Sequence, residues 1–192
     1  MAKHGALIAM ENCLRQVVDK SVAAKIMEGS EGITEKTDKK KIAQWVKGVM
    51  ERLDASVDEK TRVQVMQNCG YNCAKKNHKI IERAVGRRKK HVSTDDFLVA
   101  EGKNPMKGTR LVREEKILYQ YYIPQEFARP MRCYCGLFRG LPTEDTVPLT
   151  YCNCGKGFVE KYWEAVLQKP VKVDLLQSAI SGAKECKFAI HL

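Results

Sequence analysis

Long apolar runs are missing from this sequence. The longest one near its start, residues 5–10, is interrupted at once by Glu11 and Asn12. No segment reaches the roughly 20 apolar residues that a membrane-spanning helix needs. We therefore expect no signal peptide, no transmembrane helix and no membrane partner.

Acidic residues are also in the minority. The chain has 34 Lys and Arg against 23 Asp and Glu, and its formal net charge is +11. Most of the excess lies in the first 108 residues, which hold 22 basic and 14 acidic side chains. This balance suits nucleic acid, an anionic ligand or an acidic partner, but it also simply keeps a protein soluble.

The densest basic segment is the run of residues 87–90, Arg-Arg-Lys-Lys. Together with the helices predicted around residues 42–53 and 58–85, it could contact nucleic-acid phosphates, and the cysteine-rich domain would then act as a sensor. A solvated helix end, where cations complement the helix dipole, is the plainer interpretation. Nucleic acid is therefore kept as an alternative partner only.

Apolar residues recur at helical spacing through the first half of the chain. The pattern predicts a helix over residues 4–28 that Gly29 ends, a second helix around residues 42–53 that Asp38 could cap, and a short helix opened by Ser93 or Thr94. A third helical segment runs from Asp58 to Cys69 and resumes from Cys73 to Val85, with Gly70 between its two pieces. Residues 102–108 have the composition of a linker, so we predict a helical module over residues 1–108.

The second half has the character of a sheet domain. Residues 109–112 and 116–123 are predicted strands with a turn around Glu114 and Glu115, residues 132–138 could form another strand, and residues 157–167 form an amphipathic helix. A C-terminal hairpin pairs residues 171–180 with 185–192 and places Cys186, Phe188 and Ile190 on one face. The predicted fold class is α+β, with the helical module packed on a C-terminal antiparallel-sheet domain over residues 109–192.

The most informative feature is a repeated Cys-x-Cys-Gly tetrapeptide. It begins at Cys133 and again at Cys152, with 16 residues between Cys135 and Cys152. In a chain without an export signal, eight cysteines are expected to stay reduced, so a clustered set indicates metal binding or catalysis in the cytoplasm rather than disulfides. Ordinary burial of small side chains is the alternative.

Four thiolates from two short loops suit a tetrahedral zinc site. The predicted ligands are Cys133, Cys135, Cys152 and Cys154. Zinc is placed first because structural zinc is the plainer choice, although zinc knuckles usually have two or more residues between their cysteines. Iron, alone or in an iron–sulfur cluster, is the alternative, since soft sulfur ligands also accept it.

Further cysteines could supplement this site. Cys69 and Cys73 lie at i and i+4, so a continuous helix would put both sulfurs on one face. His78 could serve as a ligand or as a base for a thiolate, and Cys186 is an additional candidate. Core packing is the simplest role for Cys13. A third cysteine that would complete a radical-enzyme motif is missing, because position 76 is lysine.

The C-terminal string resembles known families. Residues 169–173, Ser178, Gly182 and residues 186–190 are similar to the end of the 4-vinyl reductase type of small-molecule-binding domain and of the L-2-amino-thiazoline-4-carboxylic acid hydrolase-like family. With Met66, the Cys69 and Cys73 segments and residues 151–154, residues 60–192 resemble a cysteine-rich bacterial family related to both. The resemblance implies an α+β ligand-binding domain with a cysteine-lined pocket. For the hydrolase relatives it implies opening of a small sulfur-containing ring.

Three functions follow from these observations. The first is a metal-binding protein that binds or senses a small molecule. The second is an enzyme, either a cysteine-dependent hydrolase of a small sulfur-containing substrate or a thiol redox enzyme. The third is a nucleic-acid-binding regulator. A homo-oligomer is compatible with each of them.

Overall fold

The computed structural model describes residues 4–126 and 131–192, and over these ranges the fold is α+β, as predicted. The helices are α1 (Gly5–Arg15), α2 (Lys20–Ile26), α3 (Lys39–Ser56), α4 (Glu59–Lys76), α5 (His78–Arg88), α6 (Thr94–Lys103) and α7 (Asn153–Leu167). The strands are β1 (Thr109–Glu114), β2 (Ile117–Tyr122), β3 (Lys172–Gln177) and β4 (Cys186–His191). Within these ranges, none of the helices combines the length and the apolar composition that a membrane span requires.

The first predicted helix is two helices, so the prediction of one continuous helix over residues 4–28 was wrong. The chain turns after α1, and α2 begins directly after Asp19, which occupies its N-cap position. The turn lets Leu7 and Leu14 of α1 and Ile26 of α2 enter the same core, where all three are buried. Burial of these apolar side chains therefore overrides the continuous helical periodicity.

Helix α3 begins as the sequence predicts. The Asp38 carboxylate accepts hydrogen bonds from the backbone N–H groups of Lys40 and Lys41, at 2.8 and 3.3 Å. The bonds satisfy two amides that have no partner within the helix. Ser93 caps α6 in the same way through the N–H of Asp96, at 3.0 Å. Both predicted caps are confirmed.

Gly70 does not interrupt a helix, contrary to the prediction, because α4 runs through it. A Cβ at Gly70 would lie 2.8 Å from the backbone nitrogen of Phe158 and still closer to the carbonyl oxygen of Cys154. A Cβ at Gly157 of α7 would lie 2.5 Å from the carbonyl oxygen of Gln67. The two glycines therefore serve a tertiary purpose, since they let the backbones of α4 and α7 approach closely.

The four strands form one antiparallel sheet in the order β1-β2-β4-β3. Both predicted hairpins are confirmed, and the C-terminal one pairs Val173 with Ile190. Phe188 and Ile190 are buried against α7. Trp163 of α7 donates its indole N–H to the side-chain oxygen of buried Gln120, at 2.7 Å. Helix α7 is thereby fixed over one face of the sheet.

The segment before α7 is irregular, so the strand predicted over residues 132–138 was wrong. It contains short 3-10 turns at Gly136–Phe138 and Leu149–Cys152. Phe138 is buried in the helical core and packs edge-on against Tyr151, with ring centroids 4.6 Å apart. The apolar residues of this segment thus cover α3 instead of pairing with the sheet.

Two buried clusters make up the core. One lies among α1 to α4 and the irregular segment, and the other lies between α5, α6, α7 and the sheet. Helices from the first 108 residues contribute to both, and α4 packs along α7. The division at residue 108 stays a prediction.

Candidate metal centre

All eight cysteines of the chain are free thiols. Cys13 lies on α1, Cys69 and Cys73 on α4, Cys133 and Cys135 in the irregular segment, Cys152 and Cys154 at the start of α7, and Cys186 at the start of β4. Cys13 and Cys152 are buried, and the other six are partly buried. Contacts and electrostatic interactions join them into one thiol cluster, described next.

On the helical side of the thiol cluster, α4 contributes two cysteines and contacts two others. Because α4 is continuous, Cys69 and Cys73 share a helix face. The side-chain amide of Asn72, between them, donates to the sulfur of Cys13 on α1 at 3.2 Å. The close approach at Gly70 brings the backbone of Cys154 against the same helix.

On the other side, the irregular segment and the C-terminal hairpin gather the remaining sulfurs. The backbone N–H of Cys135 points to the sulfur of Cys133 at 3.4 Å. Cys152 shares a 2.7 Å hydrogen bond with the hydroxyl of Ser178. The N–H of the next residue, Ala179, donates to the sulfur of Cys186 at 3.4 Å.

The four predicted metal ligands lie near one another. Burial, followed by the charge of Cys135 and other thiols including Cys152, raises the pKa of the Cys154 thiol well above its ordinary value. Burial and the neighbouring Cys135 and Cys152 do the same to the pKa of Cys133. Burial raises the pKa of Cys152 to about 12. These three cysteines are neutral thiols near pH 7 unless a bound cation compensates their charge.

Cys13 and Cys69 form a hydrogen-bonded pair. A hydrogen bond from Cys69, supported by Asn72 and the positive charge of Lys76, lowers the pKa of Cys13 to about 7. The same contact raises the pKa of Cys69. Cys13 itself has no exposed surface. The pair thus holds one thiolate more readily than two, away from solvent.

Most sulfurs of the thiol cluster have a hydrogen-bond donor from the protein. Besides the donors to Cys13, Cys133 and Cys186 named above, the Tyr151 hydroxyl donates to Cys135 at 2.9 Å and the Asn77 amide to Cys73 at 3.5 Å. A sulfur that only fills space needs no such donor. Hydrogen bonds to sulfur are the outer-shell contacts that tune thiolate metal centres.

The start of α7 adds favourable electrostatics. Cys152 immediately precedes the helix without capping it through its side chain, and Cys154 lies in its first turn. The positive end of the helix dipole favours thiolate there. The positive charge of Lys76 also acts on Cys13 and Cys73.

The side chains do not form a ready cage for one metal ion. In residues 4–126 and 131–192, no group of three or more His, Cys, Asp or Glu side chains is arranged to hold a single ion. The predicted ligands Cys133, Cys135, Cys152 and Cys154 therefore lie in one region, but their sulfurs are not arranged around a common metal position. Its ligand role stays a prediction.

The supplementary candidates divide into two groups. Cys69, Cys73 and Cys186 belong to the thiol cluster. His78 is exposed, and its ring contacts the carbonyl oxygen of Lys75 at 3.2 Å. Sequence reasoning left Cys13 out of the site, because its partner Cys69 is distant along the chain and no local motif marks it.

Other surface features lie apart from the thiols. A cavity of about 440 Å³ is lined by residues of the α1–α2 turn, including Arg15 and Val18, and by Val57. A groove of about 340 Å³ lies beside Tyr71 and His78. Neither of these two cavities has a cysteine in its lining.

The basic run of residues 87–90 is partly engaged within the chain. Arg87 makes a two-point ion pair with Glu101, at 2.7 and 2.8 Å. Arg88 donates to the His91 carbonyl and the Thr94 hydroxyl, each at 3.0 Å. These contacts fix α5 to α6, which gives both arginines a structural role. Nucleic acid stays an alternative prediction.

Comparison with known proteins assigns the chain to a family but gives it no function. No curated protein matches it. The NMR structure of an H-NOX domain from Shewanella oneidensis, in its Fe(II)CO ligation state, is similar with a TM-score of 0.48 and 11% sequence identity, over 100% of this chain and 98% of that one. A similarity of this degree assigns no function. The model of a family of unknown function, DUF6144, matches residues 6–192, and the chain belongs to that family.

Proposed function

We propose that this protein binds iron through cysteine thiolates, as an iron–sulfur protein, and uses the metal centre to bind or sense a small molecule. The observation that carries the proposal is the assembly of all eight cysteines into one thiol cluster. They come from five separate parts of the chain, among them α1, α4, α7 and β4. Soft thiolate donors select zinc, copper(I) or iron–sulfur clusters over hard cations.

The donors around the sulfurs support thiolate chemistry over inert packing. Cys13, Cys73, Cys133, Cys135 and Cys186 each accept a hydrogen bond from an N–H or O–H group. Such bonds stabilise negative charge on sulfur, which a metal-bound thiolate retains. A core cysteine in its thiol form gains little from them.

The number of thiols, eight where one tetrahedral ion needs four, favours a cluster over a single ion. Zinc–sulfur bonds of about 2.3 Å place tetrahedral ligands only roughly 3.8 Å apart. No three candidate ligands in the described ranges meet such a requirement. In a [4Fe–4S] cluster each thiolate binds a different iron, so the ligand sulfurs stand farther apart than they do around one ion. Iron therefore replaces zinc as the first choice, with zinc as an outcome of the test.

The position of the site supports a binding or sensing role. Cys133, Cys135, Cys154 and Cys186 are only partly buried residues, so the centre would lie near the protein surface. The resemblance of the C-terminal string to small-molecule-binding domains points the same way. A reducing cytoplasm would keep the eight thiols available for metal.

A thiol redox enzyme is the second candidate, and the contact between Cys13 and Cys69 favours it. Two adjacent thiols with unequal proton affinity can cycle between dithiol and disulfide when an external disulfide acts as oxidant. Complete burial of Cys13 counts against it, because a substrate would have no path to the nucleophile.

Metal analysis of anaerobically purified, untagged protein tests the proposal. We expect iron and acid-labile sulfide in comparable amounts, with visible absorption, and a marked loss of both in the double variant Cys152→Ser, Cys154→Ser. Val92→Ser is the matched control, since Val92 is fully exposed and its replacement should leave the iron content unchanged. Folded, metal-free wild-type protein would contradict the proposal, and colourless protein with zinc would correct the metal.

A further inference from the structure

We propose that an exposed basic face, formed by the end of α4, by α5 and by the two residues that follow α5, binds the phosphate backbone of double-stranded DNA without sequence preference. Six exposed cations make up this basic face: Lys75, Lys76, Lys79, Arg83, Lys89 and Lys90. The inference goes beyond the proposed function and does not depend on the metal centre.

The packing of α5 directs its cations towards solvent. Ala84 is buried, and Ile81 and Val85 pack against the core that α5 shares with α6, α7 and the sheet. Lys79 and Arg83 are four residues apart on the opposite side of the helix, where both are exposed. Helix α5 thus presents an apolar side to the protein and a cationic side to solvent.

The charge of the basic face is not neutralised within the protein. Glu82 is the only acidic residue between positions 75 and 90. None of the six cations forms an ion pair with another residue of the described ranges. Arg87 and Arg88, by contrast, are engaged in contacts that fix α5 to α6. An approaching polyanion would therefore meet six cations with little competition from the protein itself.

The composition of the basic face favours a duplex over other anionic partners. Residues 75–90 contain no Phe, Tyr or Trp, whereas single-stranded nucleic acid is held largely by stacking of its bases on such rings. Protein interfaces likewise depend on aromatic and apolar anchors. A helix on a membrane surface buries its apolar side in the lipid, but the apolar side of α5 already packs on the core. A duplex offers a dense array of phosphates, which cations alone can contact.

The shape of α5 suits DNA better than double-stranded RNA. The helix has 11 residues and is about 16 Å long. The major groove of B-form DNA admits a helix with side chains, whereas the major groove of A-form RNA is deep and narrow. Duplex DNA carries one negative charge per roughly 1.7 Å of its axis, so each cation of the basic face has a phosphate within reach.

Gly86 on the same side of α5 supports a close approach of the DNA backbone. It lies three residues after Arg83 and is exposed. No atom of the described residues lies within 4 Å of the position that a Cβ would take there. Packing within the protein therefore gives no reason for a glycine at this place in a helix, where it costs about 1 kcal/mol relative to alanine. The missing side chain leaves room for a phosphate backbone against the helix.

The test is to titrate a fluorescent duplex of arbitrary sequence with the full-length protein and to follow its anisotropy over roughly 50–200 mM salt. We expect a dissociation constant on the order of 10⁻⁶–10⁻⁴ M at physiological salt, and a slope of log K against log salt of about −5, because each neutralised phosphate contributes about −0.9. The quadruple variant Lys75→Gln, Lys79→Gln, Arg83→Gln, Lys90→Gln should bind roughly tenfold more weakly or worse, with a slope of about −2.

A matched control removes the same charge elsewhere. It carries Lys20→Gln, Lys25→Gln, Lys116→Gln and Lys169→Gln, which replace exposed lysines on α2, between β1 and β2, and after α7. We expect its affinity and its salt slope to stay close to those of the wild type. Equal weakening in both quadruple variants would reduce the effect to net charge and overturn the inference. Circular dichroism of both variants checks that they are folded.

The remaining outcomes are equally decisive. Wild-type protein that does not bind the duplex, or binds it independently of salt, would overturn the inference. Tighter binding of single-stranded DNA, of double-stranded RNA or of phosphatidylserine vesicles than of duplex DNA would assign the basic face to that partner and overturn duplex DNA. None of these results alters the metal content, which tests the proposed function separately.

Discussion

Replacing Gly70 with alanine tests the contact that brings α4 to α7. The new Cβ would lie 2.8 Å from the backbone nitrogen of Phe158 and 2.9 Å from the Cα of Gly157, and closer still to the carbonyl oxygen of Cys154. Real Cβ atoms essentially never come within 3.0 Å of such atoms. Because all three are backbone atoms, no side-chain rotation relieves the overlap, and the helices must move apart.

The size of the effect follows from two opposing contributions. Alanine in place of a helical glycine stabilises by roughly 1 kcal/mol. Overpacking costs typically 1–3 kcal/mol, and a backbone clash places Gly70→Ala at about 3 kcal/mol or slightly above. We expect a net loss of about 2 kcal/mol in the free energy of unfolding.

Gly86→Ala is the matched control. Gly86 is also helical, but a Cβ there has nothing within 4 Å. We expect it to be neutral or to stabilise the protein by up to roughly 1 kcal/mol. Urea unfolding followed by circular dichroism measures both variants. Bound iron should fall in Gly70→Ala alone, because the shift separates Cys69 from Cys154. Equal stability of the two variants would refute the close-packing argument.

Two further predictions concern a hydrogen bond and an ion pair. Tyr151→Phe removes the donor to Cys135, so the protein should keep its iron while its reduction potential falls, because the donor stabilises the more negative reduced centre. Tyr119→Phe is the control, because Tyr119 lies on the sheet face that does not contact α7. This change should leave the reduction potential, measured by redox titration, unchanged. Asp145 pairs with Lys47, which holds the pKa of that carboxyl below its usual value of 3.8. Its stabilisation is present above that pH and is lost as the pH falls through the lower folded-state pKa, so the difference in urea midpoint between wild type and Asp145→Asn should shrink below pH 3.8 and vanish once the carboxyl is protonated in the folded protein. A difference that persists in stronger acid would contradict this assignment.

Local sequence patterns were sufficient to predict the regular parts of the fold. Asp38 and Ser93 cap helices because capping depends on neighbours within a few residues, and the C-terminal hairpin follows from alternation along two adjacent strands. The predictions failed where a contact with a distant segment of the chain determines the local structure. Gly70 looks like a helix break in the sequence, but its purpose is the approach of α7.

The candidate site, too, could be predicted only where a local sequence pattern marks its residues. The repeated tetrapeptide identifies Cys133, Cys135, Cys152 and Cys154, and the i, i+4 spacing identifies Cys69 and Cys73. Helix α7 starts at Asn153 instead of residue 157, which places Cys154 on the helix and turns it towards α4. Cys13 could not be assigned, because its partners on α4 lie far along the chain. The irregular path of residues 131–152 has no local periodicity that would reveal it.

X-ray absorption spectroscopy of the anaerobically purified wild-type protein tests the central claim most directly. We expect an iron edge, a first shell of sulfur around the iron, and a second shell of iron that only a polynuclear cluster supplies. Folded protein with no bound metal, or with metal that has no sulfur neighbours, would contradict the account.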